Sequence, residues 1–265
     1  MNIFTREMKA NRKSIIIWCL GAIALIAGGM SKYAALSSSG GSITELMDVL
    51  PKSLLNMMGI SGFDISTAIG FYGVLFLYII VMTTIHAVML GSNIIAKEET
   101  DKTTEFLLVK PVSRNKVITS KLLAAVLNIV ILNIVTFAAS LVAVNYFKEG
   151  DSITSDIALL MGGMFILQIM FMSIGSLMAT VKKHSKGVAS TATGVLLVTF
   201  MLSMIINMND KLENLKYLTP FKYFEAQAVI GGNGFEAIFI VLSLVIIVLC
   251  LIGTYRFYEK RDLNI

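Results

Sequence analysis

The stretch Ala68–Ala96 reads AIGFYGVLFLYIIVMTTIHAVMLGSNIIA and contains no Asp, Glu, Lys or Arg, and a single histidine, His86. A helix needs about 20 apolar residues to cross the hydrocarbon core of a bilayer, so this stretch is long enough to span one. The whole chain has 265 residues, of which 56% are hydrophobic and 15% charged, and its mean hydropathy is +0.79. A soluble domain needs more charge than this to cover its surface. The sequence therefore predicts an all-α integral membrane protein.

Similar apolar stretches recur along the chain, and we predict six transmembrane helices in a single transmembrane domain over residues 1–265. No Gly-x-x-x-x-Gly-Lys-Ser/Thr phosphate loop occurs, and no soluble segment is long enough for a nucleotide-binding domain. Any ATP used would have to be bound by another polypeptide. The predicted spans are about 14–35, 68–96, 122–144, 157–181, 188–208 and 235–255.

The lysine and arginine residues predict the orientation of the spans. If the N-terminus is cytoplasmic, most of the lysine and arginine residues lie in cytoplasmic segments. An excess of these residues on the cytoplasmic side is typical of membrane proteins. We therefore expect both termini to be cytoplasmic, in a multi-pass protein of a bacterial plasma membrane. Residues 2–13 alternate apolar and basic positions, which favours a short helix on the inner leaflet. The net charge of +5 is explained by this distribution, so we expect no nucleic-acid partner.

Three connections are too rich in apolar residues to be simple loops. The outer segment between the first two spans, about Ser37–Thr67, is amphipathic and should lie along the outer interface. The segment after the second span, Lys97–Arg114, reads KEETDKTTEFLLVKPVSR and places an apolar Phe-Leu-Leu-Val patch among charges. This patch is either a contact surface for a partner or packs against the inner ends of its own helices. The segment before the last span, Tyr217–Phe224, reads YLTPFKYF, and its aromatic residues beside a proline favour short helices that dip into the outer leaflet.

In these segments the sequence resembles the ABC-2 type permease family, the membrane subunits of ATP-driven exporters. The most specific match is Lys97–Arg114, and Leu218–Tyr223 and the terminal Tyr258–Leu263 also resemble the family. The resemblance implies the type V exporter fold, with a cytoplasmic coupling helix at Thr103–Arg114 and outer re-entrant helices at Leu218–Ile230.

The resemblance also implies which residues contact a partner. The coupling-helix contacts with an ATPase would be Glu98, Glu99, Thr103, Thr104, Glu105, Phe106, Leu107, Leu108, Lys110, Pro111 and Arg114. A second cytoplasmic contact would be Lys182, Lys183 and Lys186, and the outer re-entrant segment would include Pro220, Phe221, Tyr223 and Phe224.

The same resemblance implies the partners and the cofactors. Two copies of a cytoplasmic ATP-binding subunit would hold ATP and Mg²⁺, while this chain itself would bind no cofactor and catalyse no reaction. A second permease half, either a copy of this chain or a related permease, would complete the transporter in the lipid bilayer. Members of the resembled family that export cytolytic or antimicrobial peptides, such as phenol-soluble modulins, are compact like this chain, so the resemblance favours a membrane-active peptide as the exported substrate. The 16 methionines also favour an amphiphilic substrate, because methionine adapts to varied apolar partners.

Single polar residues leave alternatives open. His86 and Asn128 either line a translocation path or hold neighbouring helices together. The sequence shows no metal-ligand spacing, and Cys19 and Cys250 are interpreted as small hydrophobic residues. The alternative functions are an ion-gradient-driven secondary carrier and a non-transporting membrane scaffold or immunity protein. A carrier should show buried carboxylates, and we find none deep in a span.

Overall fold

The computed structural model describes residues 3–38, 55, 60, 62–100, 113–147, 153–182, 187–230, 232 and 234–260, except for the side chains of Ser38, Glu98, Ile153 and Asp210. These residues form α-helices and short 3₁₀-helices, without β-strands among them. The α-helices are α1 (Ile3–Ser38), α2 (Ala68–Thr100), α3 (Arg114–Asn145), α4 (Ile153–Val181), α5 (Val188–Met208), α6 (Ala226–Ile230) and α7 (Ala237–Lys260). Two 3₁₀-helices, Asp210–Leu218 and Pro220–Lys222, lie between α5 and α6.

In the described part of the chain, six helices are long and apolar enough to cross a membrane: α1, α2, α3, α4, α5 and α7. They correspond to the six predicted spans, and α5 matches its predicted bounds to the residue. The predicted all-α membrane fold is therefore confirmed. The predicted amphipathic outer segment between the first two spans lies mostly outside the described residues.

Helices α1 and α3 are longer than predicted. Helix α1 has 36 residues and runs without a break from Ile3, so the predicted inner-leaflet helix is the first part of α1 and not a separate element. At 1.5 Å per residue, α1 is about 54 Å long, well beyond the thickness of the hydrocarbon core. Helix α3 begins at Arg114, whereas the resemblance assigns Arg114 to the coupling helix. The helix begins there because the Ser113 hydroxyl caps it by accepting a hydrogen bond from the Lys116 N–H.

Helices α2 and α4 form the parallel central pair of the bundle. In each, 61% of the most apolar part is buried, compared with 22% in α1, α5 and α7. The backbones approach closely because both helices carry glycine where they cross: a Cβ on Gly175 would lie 2.5 Å from the Val88 carbonyl oxygen. The Ser176 hydroxyl also donates to the Gly91 carbonyl oxygen at 3.2 Å. At the same crossing, Ala87 is fully buried and a Cβ on Gly91 would meet the Met172 backbone.

The remaining helices surround this pair and give the bundle two distinct ends. Helices α1 and α3 pack against α2, α7 packs against α4, and α5 packs mainly against α2. We call one end the basic end; it contains the start of α1, α3 and α5 and the end of α2, α4 and α7. We call the other the opposite end, where the Tyr33 hydroxyl of α1 donates to the Ser66 carbonyl oxygen at 2.9 Å, just before α2. The basic end carries Arg6, Lys9, Arg12, Lys13, Lys97, Arg114, Lys116, Lys121, Lys182, Arg256 and Lys260.

Candidate functional site: the basic end and the polar residues of the bundle

A buried carboxylate joins α1 to the end of α2. The Glu7 side chain is fully buried, and one of its oxygens accepts a hydrogen bond from the Arg6 guanidinium at 3.0 Å. Its other oxygen lies 3.9 Å from the Lys97 Nζ, in the last turn of α2. A buried carboxylate is stable only when it is paired with positive charge. Glu7 therefore links the first turns of α1 to the residue that precedes the predicted ATPase contacts.

A buried lysine joins α3 to the same part of α2. Lys121 is fully buried, and its Nζ donates a hydrogen bond of 2.5 Å to the Ile94 carbonyl oxygen. A buried ammonium group needs hydrogen-bond acceptors, and this carbonyl oxygen supplies one. Lys121 thus attaches the start of α3 to the last turns of α2.

The start of α3 is also attached to the end of α7. The Arg114 guanidinium donates to the carbonyl oxygens of Tyr258 and Glu259 at 3.3 Å and 3.0 Å. One turn further along α3, the hydroxyl groups of Thr119 and Tyr255 are 2.8 Å apart. These contacts place the C-terminal end of the last helix beside the first residues of α3.

Most of the predicted coupling-helix residues lie outside the described residues. These are Thr103, Thr104, Glu105, Phe106, Leu107, Leu108, Lys110 and Pro111. Glu99 lies in the last turn of α2, as does the backbone of Glu98, and Arg114 is the first residue of α3. The structure therefore describes the two helix ends that flank the predicted contact, and the coupling helix itself stays a prediction.

The predicted second contact is described at one residue. Lys182 directly follows α4, and its Nζ donates to the Thr191 hydroxyl of α5 at 2.8 Å. Lys183 and Lys186 lie outside the described residues. Lys182 thus connects α4 and α5 at the basic end.

The two residues predicted for a translocation path both contact other helices. His86 of α2 is buried, and its ring centroid is 5.3 Å from that of Trp18 of α1, with the rings inclined by 54°. Asn128 of α3 is fully buried, and its Nδ2 donates to the Ala124 carbonyl oxygen at 2.7 Å and lies 3.3 Å from the Met8 sulfur. These contacts agree with the role of helix contact residues, and the translocation path stays a prediction.

Other polar side chains form hydrogen bonds between helices inside the bundle. The Asn133 amide of α3 donates to the Gln168 side-chain oxygen of α4. Nearer the opposite end, the Tyr72 hydroxyl donates to Ser140 Oγ at 2.7 Å. Hydrogen bonds between uncharged side chains hold membrane helices together, so these pairs fix α3 against α4 and α2.

The aromatic-proline segment reaches far along the bundle from the opposite end. The Thr219 hydroxyl donates to the Thr199 carbonyl oxygen at 2.7 Å. Thr199 is nine residues before the end of α5 at Met208, which corresponds to about 14 Å along the helix. Phe221 contacts Phe171 of α4 and Phe200 of α5, with ring centroids 5.5 Å and 5.3 Å apart.

The neighbouring aromatic residues of this segment are buried as well. Tyr223 is stacked on Phe239 of α7, with centroids 4.9 Å apart and planes inclined by 9°. Phe224 meets Phe235 edge to face at 5.2 Å. Pro220 is also buried. All the predicted residues of the segment therefore face the bundle interior.

Sequence reasoning missed the burial of Glu7 and Lys121. Glu7 could have been noticed as the only acidic residue before Glu45. Lys121 shares a helix face with the buried residues Val117, Ala124 and Asn128, a spacing that becomes visible once the helix is known to begin at Arg114. Among the described residues, no group of three or more His, Cys, Asp or Glu side chains could hold a metal ion.

Comparison with known proteins identifies the family of the chain. Residues 1–263 match the family described as "ABC-2 family transporter protein". A comparison with curated proteins finds no match. The family match extends over all six candidate spans and both ends of the bundle. The chain therefore belongs to the ABC-2 family of transporter proteins and is a multi-pass membrane permease of an ABC transporter.

Proposed function

We propose that this chain is the membrane subunit of an ATP-driven exporter that moves an amphiphilic or hydrophobic substrate, in the first place a membrane-active peptide, out of the cell. A separate cytoplasmic subunit binds and hydrolyses ATP. The ABC-2 family match over residues 1–263 supports this proposal. Two ATPase subunits act on two permease halves, which are copies of this chain or this chain with a related permease.

The observation that carries the proposal is the anchoring of both helix ends that flank the predicted coupling helix. Before it, Lys97 of α2 contacts the buried Glu7 of α1. After it, Arg114 of α3 is hydrogen-bonded to the last turn of α7, and Lys121 returns to α2. A displacement of residues 101–112 by an ATPase would therefore act on α1, α2, α3 and α7 together.

The proposal places the basic end in the cytoplasm and the opposite end outside. The basic end holds most of the described lysine and arginine side chains, which is the bias expected of a cytoplasmic face. Only Lys32, Lys211, Lys216 and Lys222 belong to the opposite end among the described residues. In this orientation both termini are cytoplasmic, and the partner ATPase meets the basic end in a bacterial plasma membrane.

The proposed re-entrant segment is the part between α5 and α7. Its support is the depth of Thr219 and Phe221, which contact α5 well before the end of that helix. The methionines give less support for an amphiphilic substrate than the sequence suggested. Met164, Met170 and Met172 are buried in the core, although Met201 is exposed.

Purification of the tagged chain from its native membrane in a mild detergent tests the proposal. We expect a soluble subunit with a phosphate loop to accompany the wild-type chain. Phe106→Asp and Glu105→Arg should each abolish this association and transport without loss of membrane insertion. Lys9→Glu is the control, because it also reverses a charge at the basic end, and the Lys9 side chain is exposed.

Three results would contradict the proposal. The first is a chain that purifies without an ATPase in a detergent that preserves a known ABC complex. The second is normal association and transport in both Phe106→Asp and Glu105→Arg, which would remove the coupling helix. The third is transport that survives ATP depletion but stops with an ionophore, which would indicate a secondary carrier.

A further inference from the structure

Two adjoining cavities at the opposite end differ in chemical character. The first, which we call the aromatic cavity, has a volume of about 190 Å³ and is bounded by Phe63, Phe76, Phe221 and Phe224. The second, which we call the charged cavity, has a volume of about 390 Å³ and is lined by Glu213, Lys216, Lys222, Glu225 and Glu236. Asn207 and Glu225 line both cavities, so the two share a wall.

The shared wall is a small polar network. The Lys222 Nζ donates to the Asn207 side-chain oxygen at 2.5 Å and to a Glu225 carboxylate oxygen at 2.6 Å. The Lys222 side chain is only 14% exposed, and Glu225 is 35% exposed. The Lys222 ammonium group thus bonds to the two residues that line both cavities, Asn207 and Glu225.

The aromatic cavity is too small for a folded peptide but large enough for part of one. A cavity of about 150 Å³ in a protein core accommodates benzene. The 190 Å³ of the aromatic cavity therefore suits one large apolar side chain or a short alkyl segment. The residues that line it come mainly from α2, α5 and the segment around Phe221, which are far apart in the sequence and are brought together by folding.

The charged cavity has more carboxylates than ammonium groups. Lys216 pairs with Glu213 at 3.2 Å, and Lys222 pairs with Glu225. The backbone carbonyl of Glu236 accepts a hydrogen bond from the Phe239 N–H at 3.0 Å, whereas its carboxylate forms neither an ion pair nor a hydrogen bond with the described residues. The hydrogen bond to Glu213, together with the negative charges of Glu213 and Glu236, raises the pKa of Lys216. The local field therefore favours a cation.

From this geometry we propose that the two cavities form one binding site for a cationic amphiphile, with the apolar part in the aromatic cavity and an ammonium group among Glu213, Glu225 and Glu236. A peptide with a free amino terminus or a lysine beside an apolar residue has this chemistry. The inference rests on the proposed function for the direction of transport. If the chain is an exporter, an exported amphiphile occupies this site before its release.

Photo-crosslinking to the full-length chain in lipid nanodiscs tests the site. The probe is dodecylammonium with a diazirine near the end of its alkyl chain, and the matched probe is dodecyl sulfate with the same diazirine. After digestion, mass spectrometry should find the ammonium probe on the peptides that contain Ser203–Asn207 and Phe221–Gln227. The sulfate probe should label these peptides less.

Substitutions at Glu236 and Lys216 should change the labelling in opposite directions. Glu236→Gln removes a carboxylate and should lower labelling by dodecylammonium about threefold, whereas Lys216→Met removes a cation and should raise it by a similar factor. Glu259→Gln, at the basic end, should leave it unchanged. A purely structural role of these residues would not produce effects of opposite sign.

The results separate this inference from the proposed function. Equal labelling by both probes, preference for the sulfate, or labelling of these peptides no stronger than that of lipid-facing helices would overturn the cationic site. If an ATPase accompanies the chain but the site is not labelled, the inference fails alone. If the site is labelled with the predicted charge dependence but no ATPase accompanies the chain, the proposed function fails alone.

Discussion

At the basic end, the charged side chains of Glu7 and Lys121 are fully buried, and both contact α2 from a neighbouring helix. At the opposite end, the charged side chains of Lys222 and Glu225 line cavities. A buried charge is stable only with its partner in place, so the basic end fixes α1, α2 and α3 in one arrangement. The charges of the opposite end are less completely buried, with Lys222 14% and Glu225 35% exposed, so an exchange of partners costs less there. If an ATPase acts on the basic end as proposed, we expect this end to move as a unit, and we expect side chains at the opposite end to rearrange around the proposed ligand.

The largest effect should come from separating the central pair that connects the two ends. In Gly175→Ala the new Cβ would meet the Val88 carbonyl oxygen at 2.5 Å, and because this atom belongs to the backbone, α2 and α4 must move apart. We expect the free energy of unfolding to fall by about 2 to 3 kcal/mol. Thermal unfolding of the purified chain in detergent measures the change.

Gly162→Ala is the matched control for this substitution. Gly162 lies in the same helix, with no atom within 4 Å of a Cβ built there. Since alanine restricts the unfolded chain more than glycine does, this variant should be more stable by about 0.5 to 1 kcal/mol. Equal effects of the two substitutions would show that the α2–α4 contact is not as close as described.

Charge reversal at Lys121 should have the next largest effect. Lys121→Glu places a buried carboxylate against the Ile94 carbonyl oxygen, which should lower the free energy of unfolding by about 2 kcal/mol. Lys116→Glu, at an exposed position one turn earlier in α3, should change it by less than about 0.5 kcal/mol. Thermal unfolding and recovery from membranes measure both variants, and similar losses would contradict the burial of Lys121.

The sequence predicts the spans well because hydrophobic length alone decides them. Helix α5 lies where predicted, and α2 and α4 differ from their predicted bounds by a few residues at one end. The burial of Lys121 was not predicted because the apolar run of the third span begins only at Leu122. A charged residue at the edge of such a run is interpreted as exposed, and only the capped start of α3 at Arg114 includes Lys121 in the helix.

The candidate sites depend more strongly on the fold. Nothing in the local sequence relates Phe63, Ser203 and Phe221, which are far apart in the chain and line the same cavity. The same holds for Glu7 and Lys97, whose pairing needs α1 to pack along α2. By contrast, the aromatic-proline segment was predicted to contact the membrane interior because aromatic residues beside Pro220 are unusual in a solvent-exposed connection.

A smaller effect should come from the carboxylate that joins α1 to α2. Glu7→Gln removes the charge that faces Arg6 and Lys97, and we expect a loss of about 1 kcal/mol in the free energy of unfolding. A double-mutant cycle with Lys97→Met should give a coupling of about 0.5 kcal/mol, because Lys97 is 39% exposed. Lys9→Met in place of Lys97→Met is the control and should show no coupling with Glu7→Gln.

The smallest effect should come from the opposite end, at the exposed Asp64 before α2. Its carboxylate accepts hydrogen bonds from the Ser66 hydroxyl at 2.5 Å and from the Ser66 N–H at 3.0 Å, which lower the pKa of Asp64. Because the pKa is lowered, the charged carboxylate stabilises the folded state at pH values above its ordinary pKa of about 4. This contribution disappears as the pH falls through the folded-state pKa. Asp64→Asn should therefore unfold at a lower temperature than the wild type at neutral pH and at the same temperature in acid. A difference that persists in acid would assign the effect to hydrogen-bond geometry and not to charge, and a difference that grows would contradict the direction of the pKa shift.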